Sequence, residues 1–289
     1  MPISTDRCLL FVGAHPDDES FGSGGTLAKY ALEGARVFYA CATRGEVGEA
    51  SAEHLAGHAS TGDMRWSELT CAAEALHLKG VIHLGYRDSG MPGSSNNTAP
   101  GALAAAPLEE VTRRVVKVIR DVRPQVIYTF DPIGGYRHPD HIAIHNATCK
   151  AFLAAGDPAQ FPEAGPAYQP QKLYYDYFSR TMLRVGVRLL PLFGRDPRRF
   201  GANHDVDLVS LTEVDFPVHA HIRIPAEAAR AKSAASACHR SQLAGMPQDR
   251  GLMGPIMRFM QREESFTRAQ PPVPDGQQVR ELDLFEGVR

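Results

Sequence analysis

Two short polar runs hold the residues whose types and spacing could do chemistry. His15-Pro16-Asp17-Asp18-Glu19 follows one apolar segment, and Tyr136-Arg137-His138-Pro139-Asp140-His141 follows another. Imidazoles beside carboxylates form the donor set that zinc accepts, and a catalytic zinc site keeps one coordination position open for water. Two histidines and one aspartate supply three ligands, and a further carboxylate can then act as general base on that water. Asp17 and Asp18 are adjacent, so their side chains diverge and do not easily share one ion. One of the two is therefore expected to ligate and the other to move protons. A single His-Pro-Asp-Asp run is ordinary turn and capping chemistry. A second His-Pro-Asp-His run, again at the end of an apolar segment, makes coincidence a poor explanation. His145, one helical turn beyond His141, could ligate by spacing but ranks below His15, because the fourth position must stay open. The expected cofactor is Zn2+, with Fe2+ the other candidate, since nitrogen and oxygen donors accept several divalent ions.

These runs need elements to bring them together. Leu9–Val12 is a short buried strand ending at Gly13, and residues 22–34 read as a helix. Val37–Ala42 reads as a second strand, residues 62–78 as a helix and Val81–Leu84 as a third strand. From Pro107 to Val122 the apolar residues Leu108, Val111, Val115, Val118, Ile119 and Val122 recur at three- and four-residue steps, which predicts an amphipathic helix. Pro107 suits its first turn and Pro124 its end. Val126–Phe130 is a fourth strand, followed by a helix from His141 to Ala155. Alternation of short buried strands with helices predicts an α/β fold, a Rossmann-like, mainly parallel sheet flanked by helices. Ligands of such sheets gather at the carboxyl ends of strands, where both polar runs fall.

The second half is less regular. Leu173–Phe178 and Phe216–Ile224 read as strands and residues 226–243 as a helix, with loops over 86–106 and 156–170. The mixed apolar and basic stretch Met182–Phe193 reads as a helix packed on the sheet, a substrate cover, a subunit contact or a membrane-surface element. The tail from Ala269 is expected to be loosely ordered. A single domain over 1–289 is expected, with the parallel core in 1–155 and a C-terminal elaboration over the active site in 156–289.

Composition excludes several classes. The 289 residues are 43% hydrophobic and 22% charged, with a formal net charge of −2 and no basic stripe, so no nucleic-acid partner is expected. Residues 1–7 are polar and show no signal-peptide pattern, and no apolar run suggests an integral membrane segment. Cys8, Cys41, Cys71, Cys149 and Cys238 are odd in number and far apart, which predicts free thiols and a cytoplasmic setting. A dinucleotide is disfavoured, because the first turn presents Asp17, Asp18 and Glu19 where a pyrophosphate needs glycine backbone. His54 and His58 read as an exposed pair, His219 and His221 as structural, and His239 as a core histidine.

Strand-AHPDDE and the later GGYRHPDH together resemble the PIG-L/LmbE-type de-N-acetylases. Arg44-Gly45-Glu46 and the run from Leu84 through Asp88 to Met91 extend the resemblance over residues 8–150, and Cys238–Gln242 is similar to a later family segment. The resemblance implies zinc held by His15, Asp18 and His141, with Asp17 as general base. It implies that His138 stabilises the oxyanion or protonates the leaving amine, that Asp140 orients His138, and that Tyr136 approaches the scissile carbonyl. It also implies substrate contacts from Arg65, Asp88 and Glu46. By the residues alone, Arg65 could equally lie on a solvated helix face, Asp88 could be a turn former, and Glu46 an ordinary loop carboxylate.

The expected function is hydrolysis of the N-acetyl group of an amino-sugar conjugate, a small-molecule partner, in a chain that could self-associate into a homo-oligomer. The pattern is nearest to the deacetylases and conjugate amidases of the mycothiol pathway. Gly22 stands where the amidase pattern has lysine, which favours the deacetylase over an amidase cleaving mycothiol-type S-conjugates. A non-catalytic metal-binding protein would have no need of Asp17, Tyr136 and His138 together.

Overall fold

The computed structural model describes residues 6–178, 180–200, 206–243, 262–274 and 276–289. Positions 1–5, on which part of the N-terminal reading rests, lie outside them. In chain order the elements begin with β1 (Cys8–Gly13), α1 (Asp18–Phe21), α2 (Gly24–Leu32) and β2 (Arg36–Cys41). α3 (Ala52–Leu55), α4 (Thr61–Ala75), β3 (Gly80–His83), α5 (Leu108–Val122) and β4 (Val126–Thr129) follow. Then come α6 (Gly134–Arg137), α7 (Pro139–Ala154), β5 (Lys172–Tyr177), α8 (Arg180–Leu189) and α9 (Leu208–Leu211). The chain continues through β6 (Ala220–Arg223), α10 (Ala226–Cys238) and β7 (Glu263–Gln270).

The strands form one seven-stranded sheet in the order β3-β2-β1-β4-β5-β7-β6. β1, β2, β3, β4 and β5 pair in parallel, whereas β7 runs antiparallel to both β5 and β6. The expected Rossmann-like architecture is therefore present, with an antiparallel edge added by the C-terminal half. Every residue of β1 is buried, as a central parallel strand covered on both faces requires. From β1 the order first runs outward to β2 and β3, then returns to place β4 on the other side of β1. The carboxyl ends of β1 and β4 therefore flank the point where strand order reverses, which opens a crevice at the sheet edge.

Helix α5 begins just after Pro107, carries Glu109 and Glu110 in its first turn, and buries Val111, Val115, Val118, Ile119 and Val122. Its Arg120 is buried and donates to the carbonyls of Ala154, Ala155, Asp157, Gln160, Phe161 and Gly165. One guanidinium thus orders much of the 156–170 loop. Across the 86–106 loop, the Asn97 side-chain amide donates to the carbonyls of Ser89, Gly90 and Met91, which holds the turn beside Asp88.

Two expectations need correction. Cys71 and Cys238 form a disulfide across 167 residues of sequence, joining α4 to the end of α10, so they are not free thiols. No local spacing announces such a pair, because only packing brings the two helices together. Cys8, Cys41 and Cys149 remain thiols, but the argument from unpaired cysteines to a reducing compartment loses its basis. The tail from Ala269 is also not loose. β7 supplies a sheet strand that sequence reading did not find, with Phe266 fully buried, and beyond it Leu284 and Phe285 pack into the core. None of the described helices is long and apolar enough to cross a membrane.

Glu281 anchors that tail. Its carboxylate accepts from Lys172 Nζ at 2.6 Å, Tyr174 Oη at 2.6 Å and Arg268 at 2.7 Å. Burial alone would raise its pKa, but Lys172, Tyr174 and Arg268 outweigh burial and hold it below the usual glutamate range. A carboxyl with a depressed folded pKa contributes stability above its unfolded pKa, and that contribution is lost as pH falls through the folded value. Glu281→Gln is expected to cost roughly 3–5 kcal/mol, as loss of one partner of a buried ion pair does. In thermal unfolding from pH 7 to pH 3, the gap between wild type and variant should narrow in acid. A gap that stays constant over that range would remove the charge from this account.

Candidate active site

At the end of β1 the chain turns at Pro16, and Asp17 takes φ 122° and ψ −26° before α1 begins. A non-glycine residue held in so sparse a region costs roughly 1–3 kcal/mol, which the surroundings must offset. At the end of β4, Gly134 and Gly135 adopt positive φ and allow the chain to pass tightly over α7. A Cβ on Gly134 would lie 2.8 Å from the Cβ of His141, so a side chain there has no room. His138 then caps α7, its Nδ1 accepting from the Asp140 N–H, with Pro139 in the first turn.

These turns bring His15 and His141 into contact across 126 residues of sequence, with Nδ1 of His15 3.2 Å from Nε2 of His141. Their outer nitrogens are already engaged. His15 Nε2 faces Asp140 Oδ2 at 3.1 Å, and His141 Nδ1 faces the Gly134 carbonyl at 3.2 Å. A carbonyl and a carboxylate both require a donor, so the inward nitrogens of the two rings are left with lone pairs. Two lone pairs at this distance need a positive charge between them, either a proton shared from His15 Nδ1 or a metal ion. Asp18 completes the corner, with Oδ1 3.4 Å from His141 Nε2 and Oδ2 3.9 Å from His15 Nδ1. The N–H groups of Ala14 and His15 hold Oδ2 at 2.9 and 2.7 Å. Ligands bound 2.0–2.1 Å from a tetrahedral ion lie about 3.3–3.4 Å apart, close to these separations. Ligand atoms of His15, His138 and His141 also come within 4.8 Å of one another, so His138 borders the same space.

Asp17 sits beside this cluster. Arg65, buried in α4 rather than on a solvated face, donates to Asp17 Oδ2 at 3.0 Å and to the carbonyls of Pro16 and Gly45. Burial pushes the Asp17 carboxyl up to about 6, against the pull of Arg65 and with the help of Asp18. His138 uses Nδ1 as an acceptor, which leaves its proton on Nε2. Burial, with His15 and His141 close by, holds its pKa well below the usual histidine value. A neutral imidazole with N–H at Nε2 is a hydrogen-bond donor at the cleft wall. Burial would lower the His15 pKa, but Asp140, Asp88 and Asp18 hold it well above the ordinary value.

An open cleft of about 810 Å³ lies over the cluster, lined by His15, Asp17, Arg65, Asp88, Tyr136 and His138 among others. Tyr136 is exposed at its mouth, its ring 5.1 Å from that of His141 and 5.8 Å from that of His138. Asp88 lines the cleft while accepting from the Gly90 and Val47 N–H groups, and its Oδ1 is 3.5 Å from His15 Nε2. Two placements differ from expectation. The Asp140 carboxylate addresses His15 and the Ser89 N–H, not His138, which it meets through its backbone N–H. Glu46 does not line the cleft. Its carboxylate accepts from the Arg44 and Asp88 N–H groups and so shapes the wall from behind. His145 turns away to the Phe130 carbonyl. His54 is half-buried in the cleft rim rather than exposed, and His239 is buried against Glu19. Ser241 and Gln242 also line the cleft. Their approach depends on the packing of α10, and no spacing in the sequence signals it.

The mainly parallel α/β sheet thus carries a histidine–carboxylate cluster at its switch point. The family model for GlcNAc-PI de-N-acetylase, PIG-L, matches residues 10–152. A 1D-myo-inositol 2-acetamido-2-deoxy-alpha-D-glucopyranoside deacetylase of Geodermatophilus obscurus is 40% identical over 250 residues, 83% of this chain and 84% of that one. The protein of the same name from Streptomyces avermitilis is 38% identical over 98% of both chains. The chain belongs to the PIG-L de-N-acetylase family, and these relatives are deacetylases, hydrolases of a non-peptide amide bond. Among solved structures, N,N'-diacetylchitobiose deacetylase from Pyrococcus horikoshii superposes with a TM-score of 0.60 at 20% identity, covering 91% of this chain and 83% of that one. A conserved protein from Thermus thermophilus gives 0.58 at 23%, covering 92% and 96%. At these identities the likeness shows the fold.

The geometry makes a direct expectation about metal. Zinc titration of the apoprotein should show one site, and His141→Ala should weaken it by at least about 100-fold. Asp140→Asn should weaken it about 10- to 100-fold, since partners of ligating histidines carry that much affinity. Unchanged zinc affinity in His141→Ala would show that the ion, if bound, sits elsewhere.

Proposed function

We propose that the protein removes the acetyl group from an N-acetylglucosaminyl conjugate, of which an N-acetylglucosaminyl-inositol is the first candidate, at a zinc site held by His15, Asp18 and His141. The observation that carries this reading is the pair of inward imidazole nitrogens 3.2 Å apart with Asp18 beside them and Asp17 at the cleft wall. The 38–40% identity to deacetylases of that substrate supports the choice of sugar conjugate. Bound zinc would supply Lewis acidity to water and to the acyl carbonyl.

The chain's own residues perform the remaining work. Arg65 binds Asp17 Oδ2, so Oδ1 is the oxygen that accepts the proton as water attacks the acetamide carbon. Arg65 also fixes the carboxylate in place, which lowers the cost of reaching the attack geometry. As the carbonyl oxygen gains charge, His138 Nε2–H donates to it, and the Tyr136 hydroxyl reaches it from the mouth. One such donor contributes roughly 2.7–4 kcal/mol at the barrier. The proton taken up by Asp17 passes to the departing amine nitrogen and the remaining proton of the new acid goes to the amine or to solvent, so acetate and the amino sugar leave with Asp17 restored as a carboxylate. Asp88 offers a carboxylate edge at the cleft wall to sugar hydroxyls.

The test is release of free glucosaminyl-inositol, with acetate from N-acetylglucosaminyl-inositol and with the conjugated acid from an S-conjugated glucosaminyl-inositol amide, with and without chelator. Chelator-sensitive release from the first at the higher kcat/KM supports the proposal. Release only from the second would make the chain an amidase, and zinc binding without either would make it a binding protein. Asp17→Asn should retain zinc and lower kcat by about 10²- to 10⁴-fold, the usual worth of a general base. Near-wild-type turnover in that variant would assign the proton transfer to another group.

A further inference from the structure

The backbone of Asp17 is strained, and its amide is held by the Glu19–His239 pair. The Asp17 N–H donates to Glu19 Oε2 at 2.9 Å. The other oxygen, Oε1, accepts from the Ser20 hydroxyl and from His239 Nε2, the latter at 2.6 Å. Glu19 and His239 have no solvent exposure. Among the described residues His239 Nδ1 is buried without a hydrogen-bond partner, so Nε2 alone of the ring nitrogens holds the contact to Glu19. Neither residue lines the cleft, so neither touches substrate.

His239 arrives from the far end of the chain, and its position is fixed on both sides. The preceding residue, Cys238, is bonded to Cys71. Two residues on, Ser241 donates to the Glu68 carboxylate through both its backbone N–H and its hydroxyl. Both anchors lie on α4, the helix that also presents Arg65 to the Asp17 carboxylate. One helix therefore sets the side chain of Asp17 directly and its backbone through His239 and Glu19.

We infer that Glu19 and His239 are a positioning pair that holds Asp17 in its left-handed backbone conformation, and so aims its carboxylate at the reacting water. The inference rests on Asp17 serving as the base. Without His239 the Glu19 carboxylate keeps only the Ser20 hydroxyl at Oε1, its hold on the Asp17 N–H weakens, and the chain relaxes toward negative φ. The carboxylate then leaves its place without any change in the residues that line the zinc corner.

The experiment compares zinc-loaded full-length wild type with His239→Ala, His239→Gln and Glu19→Gln. His239→Ala should lower kcat at least tenfold, with KM within about twofold and zinc affinity within about threefold of wild type. His239→Gln keeps an N–H at the reach of Nε2 and should recover most of kcat. Amide hydrogen exchange supplies a readout independent of turnover. The Asp17 N–H should lose at least tenfold protection in His239→Ala and regain it in His239→Gln, while the amides of β1 stay protected. Glu19→Gln, with one acceptor oxygen fewer, should fall between the two. Unchanged kcat and Asp17 protection in His239→Ala would overturn the inference, as would equal losses in the alanine and glutamine variants. If wild type releases no acetate at all, the catalytic reading fails, and Asp17 exchange in the same variants still decides whether the pair holds that backbone.

Discussion

The inward nitrogens of His15 and His141 stand 3.2 Å apart, a separation that needs a proton or a metal ion between them, and the rest of the site is organised around that constraint. Asp140 and the Gly134 carbonyl engage the outer nitrogens and so turn the inward ones toward each other. The Ala14 and His15 amides commit one oxygen of Asp18 and leave the other toward His141. The corner is held in place by partners that are mostly backbone. The backbone partners are held in turn by the ends of β1 and β4, neighbours only because strand order reverses between them.

A second constraint is electrostatic. Half-buried Asp17 and Asp18 crowd against buried Asp88, Asp140, His15 and His138, and Arg65 brings a permanent positive charge to Asp17. Burial lifts the Asp17 carboxyl while its neighbours hold Asp88 low, so carboxylates a few residues or one loop apart sit in different protonation regimes. Divergence of this kind among neighbouring acids is what separates a proton acceptor from groups that stay charged to hold structure.

The C-terminal half does more than cover the strand ends. β7 inserts between β5 and β6, Glu281 gathers Lys172, Tyr174 and Arg268, and α10 delivers His239 to Glu19 and Ser241 to the cleft. Each contact ties the C-terminal elaboration to the parallel core or to itself.

How much could be read before the fold was known depended on the range of the interaction concerned. Helix α5 and the parallel strands were legible because their signals are local: an apolar face recurs within a few residues, and a buried strand is a short apolar run. The two polar motifs were legible for the same reason, each being a compact run at a strand end, and their shared rim followed from parallel topology. What only the tertiary structure decided were partnerships between distant residues. Asp140 faces His15 rather than His138, Glu46 supports the wall instead of entering the cleft, and Cys71 joins Cys238. β7, polar along much of its length, is a strand only because β5 and β6 supply both ladders. The sequence alone thus determined which residue types stand at the ends of β1 and β4. Packing determined which of them face one another, because side-chain direction at a turn is set by contacts that no local pattern encodes.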